Sequence, residues 1–284
     1  MARPAPIVLE CMTVTQETRM PDAKPMPFRT LLSLLAIVGM LAGPLPAAAY
    51  DAARLPAAKM AAAAFATAAR SSEKTGDVPR ETDPAVRRLL EAVFDARDLD
   101  DGQAVPFQAL PALSERMMTG VKVGIIYMLA GTGASDLTQL GSDPGGAEKV
   151  NLNVIKFAPE MGRFFDFQLR MQGAVVETVL ERLATAKPEE RSRPSFQSGL
   201  RDIRQGSART VAGVIETLAV NGLSDEWRRE RMPALGAIGP RLAKFLDADQ
   251  KQQLKELALA CAEVMNDAQV RDRLQSFADV ISGG

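Results

Sequence analysis

From Pro84 to Ile281 one pattern recurs: apolar residues at steps of three and four, with charged residues between them. That period gathers the apolar positions on one side of a helix. In PAVRRLLEAVFDAR, Val86, Leu89, Leu90, Val93 and Phe94 share a side, and Arg87, Arg88, Glu91 and Asp95 fill the rest. Asp83 before Pro84 supplies an N-cap and a proline at the first helical position. The next stripe runs from Phe107 or Pro111 to Leu129 through Leu110, Leu113, Met117, Val121, Gly124 and Met128. Its polar side, Glu115, Thr119 and Lys122, ends early, so the helix should finish buried on nearly every side. A strand over Val121 to Tyr127 is the alternative, because Ile125 and Ile126 are β-branched. Gly120 and Gly124, four apart, remove side chains from one face and predict close approach by a neighbour.

Pro159 should start or kink the following helix, since it lacks an N–H and clashes with the preceding turn. Met161, Phe165, Gln168 or Leu169, Gln172, Val176 and Leu183 form its inner stripe. Arg163, Asp166 and Arg170 read as its solvent side, spaced for two ion pairs, and Glu177 and Glu181 continue that side. Phe196 to Leu218 repeats at heptad steps, with Gly206, Ser207 and Gly213 suited to a close neighbour. Ser224 caps a further helix, which the MPALGAIGP segment should interrupt before a short helix to Leu246. Asp247 and Gln250 form a capping-box pattern before Gln252 to Met265, and a last helix carries Val270, Leu274, Phe277 and Ile281. Such a succession predicts an all-α fold, an irregular multi-helix bundle.

Upstream of Asp83 the pattern changes twice. YDAARLPAAKMAAAAFATAAR is alanine-rich and predicts a helix with little area to bury, packing weakly or serving as a stalk. SSEKTGDVPRET follows as a polar linker. Earlier still, Leu31 to Ala42 is an uncharged apolar run behind Arg29, followed by GPLPAAA with Ala47 and Ala49 in a cleavage-site arrangement. The chain thus divides into a leader with an export signal (1–49, apolar core 31–42), an alanine-rich helix and linker (50–82) and a single helical domain (83–284). The apolar core is shorter than the roughly 20 residues that span a bilayer comfortably. A periplasmic or secreted protein is the expectation, and an anchored one if the leader is retained.

Charge and composition narrow the function. The leader takes with it four basic residues (Arg3, Arg19, Lys24, Arg29) and three acidic ones (Glu10, Glu17, Asp22), leaving a net charge of minus two. Nothing there attracts a phosphate backbone at long range, so nucleic acid is not an expected partner. Cys11 falls in the leader, so Cys261 can form no intrachain disulfide, and it reads as a buried hydrophobe. The chain contains no histidine. That excludes histidine-based acid–base catalysis, the Ser-His-Asp and Cys-His nucleophile systems, and histidine-containing zinc sites. An enzyme built from this chain would use carboxylate or lysine chemistry.

No motif names an activity, a cofactor or a metal. AGTGASDLTQLG lacks the lysine and hydroxyl of a phosphate loop, and Asp136 stands where a dinucleotide fingerprint needs its third glycine. Gly131 reads as a helix stop, and Ser135 with Asp136 as the cap of a short turn reaching Leu140. A connection of roughly 16 residues still exceeds the usual 2 to 8 between bundle helices. Gly131, Gly133, Ser135 and Asp136 are therefore the ligand-binding candidates, on position alone. Asp98, Asp100 and Gly102 resemble a calcium loop superficially but lack its twelfth-position glutamate. Phe164, Phe165 and Phe167 cannot share one stripe, and Trp227 lies in the polar run EWRRER. Phe164 or Phe167 should be exposed or buried against another element, and Trp227 should lie at the core edge or face a partner; Phe164, Phe167 and Trp227 are thus the interaction candidates, for a protein partner or a second copy. The expectation is an exported helical protein with a binding, assembly or structural role in the cell envelope.

Overall fold

The computed structural model describes residues 54–283 except 71, 73–74, 100–103 and 142–144. The leader, its apolar core and cleavage site, and Asp100 and Gly102 lie outside the described residues. Along the chain come α1 (Arg54–Ala69), α2 (Pro84–Val93), 3-10 turns at Arg97–Leu99 and Phe107–Ala109, and α3 (Leu110–Leu129). Then follow α4 (Leu137–Gly141), α5 (Gly146–Lys156), α6 (Ala158–Thr185), α7 (Pro188–Arg191), α8 (Pro194–Leu218), α9 (Asp225–Phe245), α10 (Ala248–Glu263) and α11 (Ala268–Ser282). The described residues contain no strand, and the fold is an all-α, irregular multi-helix bundle. The segment over Val121 to Tyr127 is helical, inside α3.

The bundle is organised around α6, whose 28 residues reach about 42 Å at the usual rise per residue. Pro159 stands in its first turn, where a missing N–H costs nothing. Helices α3, α5, α8 and α9 pack against it. On the α3 side, Gly120 and Gly124 form two notches filled by the rings of Phe167 and Phe164. A Cβ on Gly124 would lie 2.7 Å from the Phe164 ring, and one on Gly120 would overlap Phe167. Those notches let all three phenylalanines of α6 be buried at once.

Two expectations change. The alanine-rich α1 is no loosely packed stalk: Ala58, Ala61, Phe65 and Ala69 are buried against α2 and α3, with the Phe65 ring 5.3 Å from Tyr127. Small alanines allow the close approach, and Phe65 supplies the area. The linker after α1 is likewise strapped down. Val78 is buried, the Tyr127 hydroxyl donates to the Pro79 carbonyl (2.9 Å), and Glu160 Oε1 accepts from the Glu81 N–H (2.9 Å) and Arg80 Nε (3.1 Å).

MPALGAIGP does not interrupt a helix either; α9 continues through Pro233 and Pro240. Both prolines face solvent, while Met232, Leu235, Ile238, Leu242 and Phe245 keep the inner stripe in register. Burial of that stripe against α6 and α11 outweighs two missing backbone hydrogen bonds. The capping box of α10 forms, with the Gln250 N–H donating to Asp247 Oδ1 (2.9 Å), and Cys261 is buried.

Candidate functional site: a charged seam and an exposed helix face

The long loop after α3 uses its own polar groups. Gly131 (φ +67°) and Gly76 (φ +73°) place their backbones side by side, and a Cβ on Gly131 would lie 3.1 Å from Gly76 Cα. Gly133 (φ +75°) has open space where a side chain would be. Asp136 caps α4 by accepting from the Gln139 N–H (2.8 Å), and the Ser135 N–H donates to the Gln139 side chain (2.8 Å). Leu140 is buried and pins the loop. Asn153 on α5 donates to the Met128 and Ala130 carbonyls at 2.9 and 2.8 Å, closing the C-terminus of α3. The four ligand candidates thus lie together, as turn and cap residues.

The three interaction candidates belong to the interior. Phe164 and Phe167 sit under the α3 notches and against Phe94, at ring separations of 6.1 and 5.6 Å. Trp227 donates from Nε1 to the Ala158 carbonyl (2.6 Å) and meets Phe165 edge-on. Each is therefore a core residue rather than an exposed anchor. Asp98, from the calcium-like run, is held by Arg116 at 2.8 and 3.0 Å and by Arg54 at 3.0 Å. Beside it, hydrogen bonding from the Arg97 side chain holds the Asp95 carboxyl down at about 2, against the effect of burial.

The chemistry-bearing arrangement lies where α9 crosses α6, and two glycines make it possible. Gly162 leaves room for the Arg231 guanidinium, which a Cβ there would overlap, and Gly173 leaves room for Arg241 (2.7 Å). Arg231 is almost wholly buried. It lies 4.7 Å above the Trp227 ring, donates to the Trp227 carbonyl (2.7 Å) and pairs with Glu230 (2.5 Å). Its Nη2 reaches Asp166 Oδ2 only at 3.5 Å. One turn along from Gly173, Glu177 meets Arg241 at 3.4 Å.

Asp166 was expected on the solvent side of α6, paired with Arg163 and Arg170. Instead Arg163 reaches out to Glu81 (2.6 Å), and Asp166 is drawn into the α9 contact. Its side chain keeps 31% of its surface, yet Oδ1 is sealed with no hydrogen-bond partner. Burial pushes this carboxyl up to about 6; Arg231 opposes the shift and Glu230 adds to it. Among the described residues the sealed polar atoms without a partner are Glu160 Oε2, Asp166 Oδ1, Gln168 Nε2 and Arg231 Nε. All belong to α6 or to the α9 arginine lying on it. Gly162 and Gly173, three turns apart on one face, were the signal in the sequence that another element crosses there.

A second feature is the outer face of α1. Ala57, Met60, Ala63, Ala64, Thr67 and Ala68 are exposed there, and Met60 keeps 70% of its surface. The helix is therefore apolar on both sides. A cavity of about 10 Å³ lies between α3, α6 and α8, lined in part by Ser114, Gln172 and Ser207, room for about one water. Among the described residues no His, Cys, Asp and Glu group could hold a metal ion, and no helix is long and apolar enough to cross a membrane. No family model matches the chain, and no curated protein or solved structure matches it.

Proposed function

We propose that the protein is exported and serves in the cell envelope as a binding or assembly protein, with the outer face of α1 as its contact surface for a protein partner. The observation that carries this reading is the exposed apolar face itself. A helix that is apolar all round is normally covered on every side. Here the inner side meets α2 and α3, while Met60 stands 70% exposed among alanines. Positions 57, 60, 64 and 67 repeat at coiled-coil spacing and carry small or flexible side chains, which suits close approach by another helix. The charges on α1 do not interrupt the seam: Arg54 pairs with Asp95 and Asp98, and Lys59 with Glu115. Export is supported by the apolar run 31–42 and the alanines at 47 and 49.

Thiol labelling tests the reading. Removal of the leader takes Cys11 with it, and Cys261 is buried, so Met60→Cys provides one reactive thiol. A membrane-impermeant maleimide should label purified Met60→Cys fully and the same protein in intact envelopes at least fivefold more slowly. Equal labelling in both preparations contradicts the contact, and a full-length cytoplasmic product contradicts export. A second reading, carboxylate acid–base chemistry without histidine, draws on the raised pKa of Asp166. Asp166→Asn leaves α1 untouched, so labelling of Met60→Cys should not change in that background.

A further inference from the structure

The contact between α6 and α9 holds an ionisable group in a place that serves its neutral form better than its charged form. We propose that this seam is a proton-operated joint: uptake of a proton by the Asp166 carboxyl tightens α9 against α6, and loss of that proton loosens the contact. The inference stands apart from the α1 contact surface and uses none of its residues.

Geometry carries it. An ionised carboxylate asks for several donors, and Asp166 has few. Oδ1 is sealed without one, and the nearest cation stands 3.5 Å from Oδ2. From α9, the charged groups facing Asp166 are Arg231 and Glu230. Arg231 cannot serve Asp166 fully, because it is lodged over Gly162 and shared with Glu230 and the Trp227 carbonyl. Glu230 brings like charge. On α6 itself, Arg163 is committed to Glu81, with Glu91 at 4.0 Å, and Arg170 stands one turn beyond Asp166. A proton on Asp166 removes the repulsion from Glu230, ends the demand for extra donors, and leaves Arg231 to Glu230. Further along α9, Pro233 and Pro240 lack N–H groups, so the helix has fewer backbone bonds of its own and its order leans more on packing against α6 and α11.

Hydrogen exchange across residues 226–236 of the processed protein tests the joint. Protection factors, corrected for intrinsic rates, should rise about fivefold in the wild type between pH 7.5 and pH 5.0. Asp166→Asn should show the high value at both pH values. Glu230→Gln should still respond, with its midpoint moved to lower pH, because a repelling charge is gone and Arg231 turns to Asp166. Equal wild-type protection at the two pH values overturns the proposal. So does an Asp166→Asn protein that keeps the wild-type slope, or one less protected than wild type at pH 7.5. If Asp166→Asn does not fold, Glu230→Gln decides: an unmoved midpoint overturns the joint.

Discussion

Single glycines decide which side chains α6 can bury. Gly120 and Gly124 admit two phenylalanine rings, and Gly162 and Gly173 admit two guanidinium groups. Gly120→Ala puts a methyl into the Phe167 ring, and overpacking of this kind costs about 1–3 kcal/mol, read as a lower denaturation midpoint. Gly236, exposed on α9 with nothing near its missing Cβ, is the contrast. There Gly236→Ala should gain about 0.5–1 kcal/mol, because only helix propensity changes. Asp166 acts in the opposite sense to most carboxylates. Its folded pKa of about 6 lies above the ordinary aspartate value of 3.8, so its contribution to stability is fully present below about 3.8 and is lost as pH rises through about 6. Partial exposure screens the effect, and Asp166→Asn should raise stability at pH 7.5 by up to about 1 kcal/mol. Guanidinium titration at pH 7.5 and pH 4 checks this: the gain should vanish at pH 4.

At the scale of elements, α9 shows how burial overrides local rules. Its two prolines punctuate the sequence strongly, yet the inner stripe through Met232, Leu235, Ile238 and Leu242 keeps the period. Pro233→Ala and Pro240→Ala should each stabilise the protein, since both sites are exposed and a backbone donor is regained. Thermal unfolding reads this directly, as a rise in Tm. Most of the other helices were legible in the period and the caps: α3, α6, α8, α10 and α11 lie where their stripes put them, and Asp247 and Ser224 cap as their residue types suggest. The seam was less legible. Asp166 sits among charged residues at surface-like spacing, and its burial comes from a helix sixty residues further on; Gly162 and Gly173 mark a close crossing on α6 without identifying that helix. The roles of Phe164, Phe167 and Trp227 were hidden for the same reason. Their neighbours are notches and carbonyls on other helices.

Across the described residues, α1, the strap after it and the longer helices from α2 to α11 share one core. Phe65, Val78 and Tyr127 belong to the same cluster of buried residues as α9 to α11. Phe65→Ala should therefore cost about 3–5 kcal/mol and shift a single unfolding transition as a whole. Two transitions, with only the first moved, would mean that α1 is a separate unit after all. The same integration gives α1 a rigid backing for its outer face, which a loosely tethered stalk would lack. That face is the centre of the functional account. Its most direct test is a photo-crosslinking residue placed at Ala64 and, as a control, at exposed Lys187, activated in intact cells. A discrete adduct of one defined mass is expected from position 64 and none from position 187, and the adduct should be lost when Met60→Glu is introduced. No adduct from position 64, or the same diffuse products from both positions, would contradict the α1 contact.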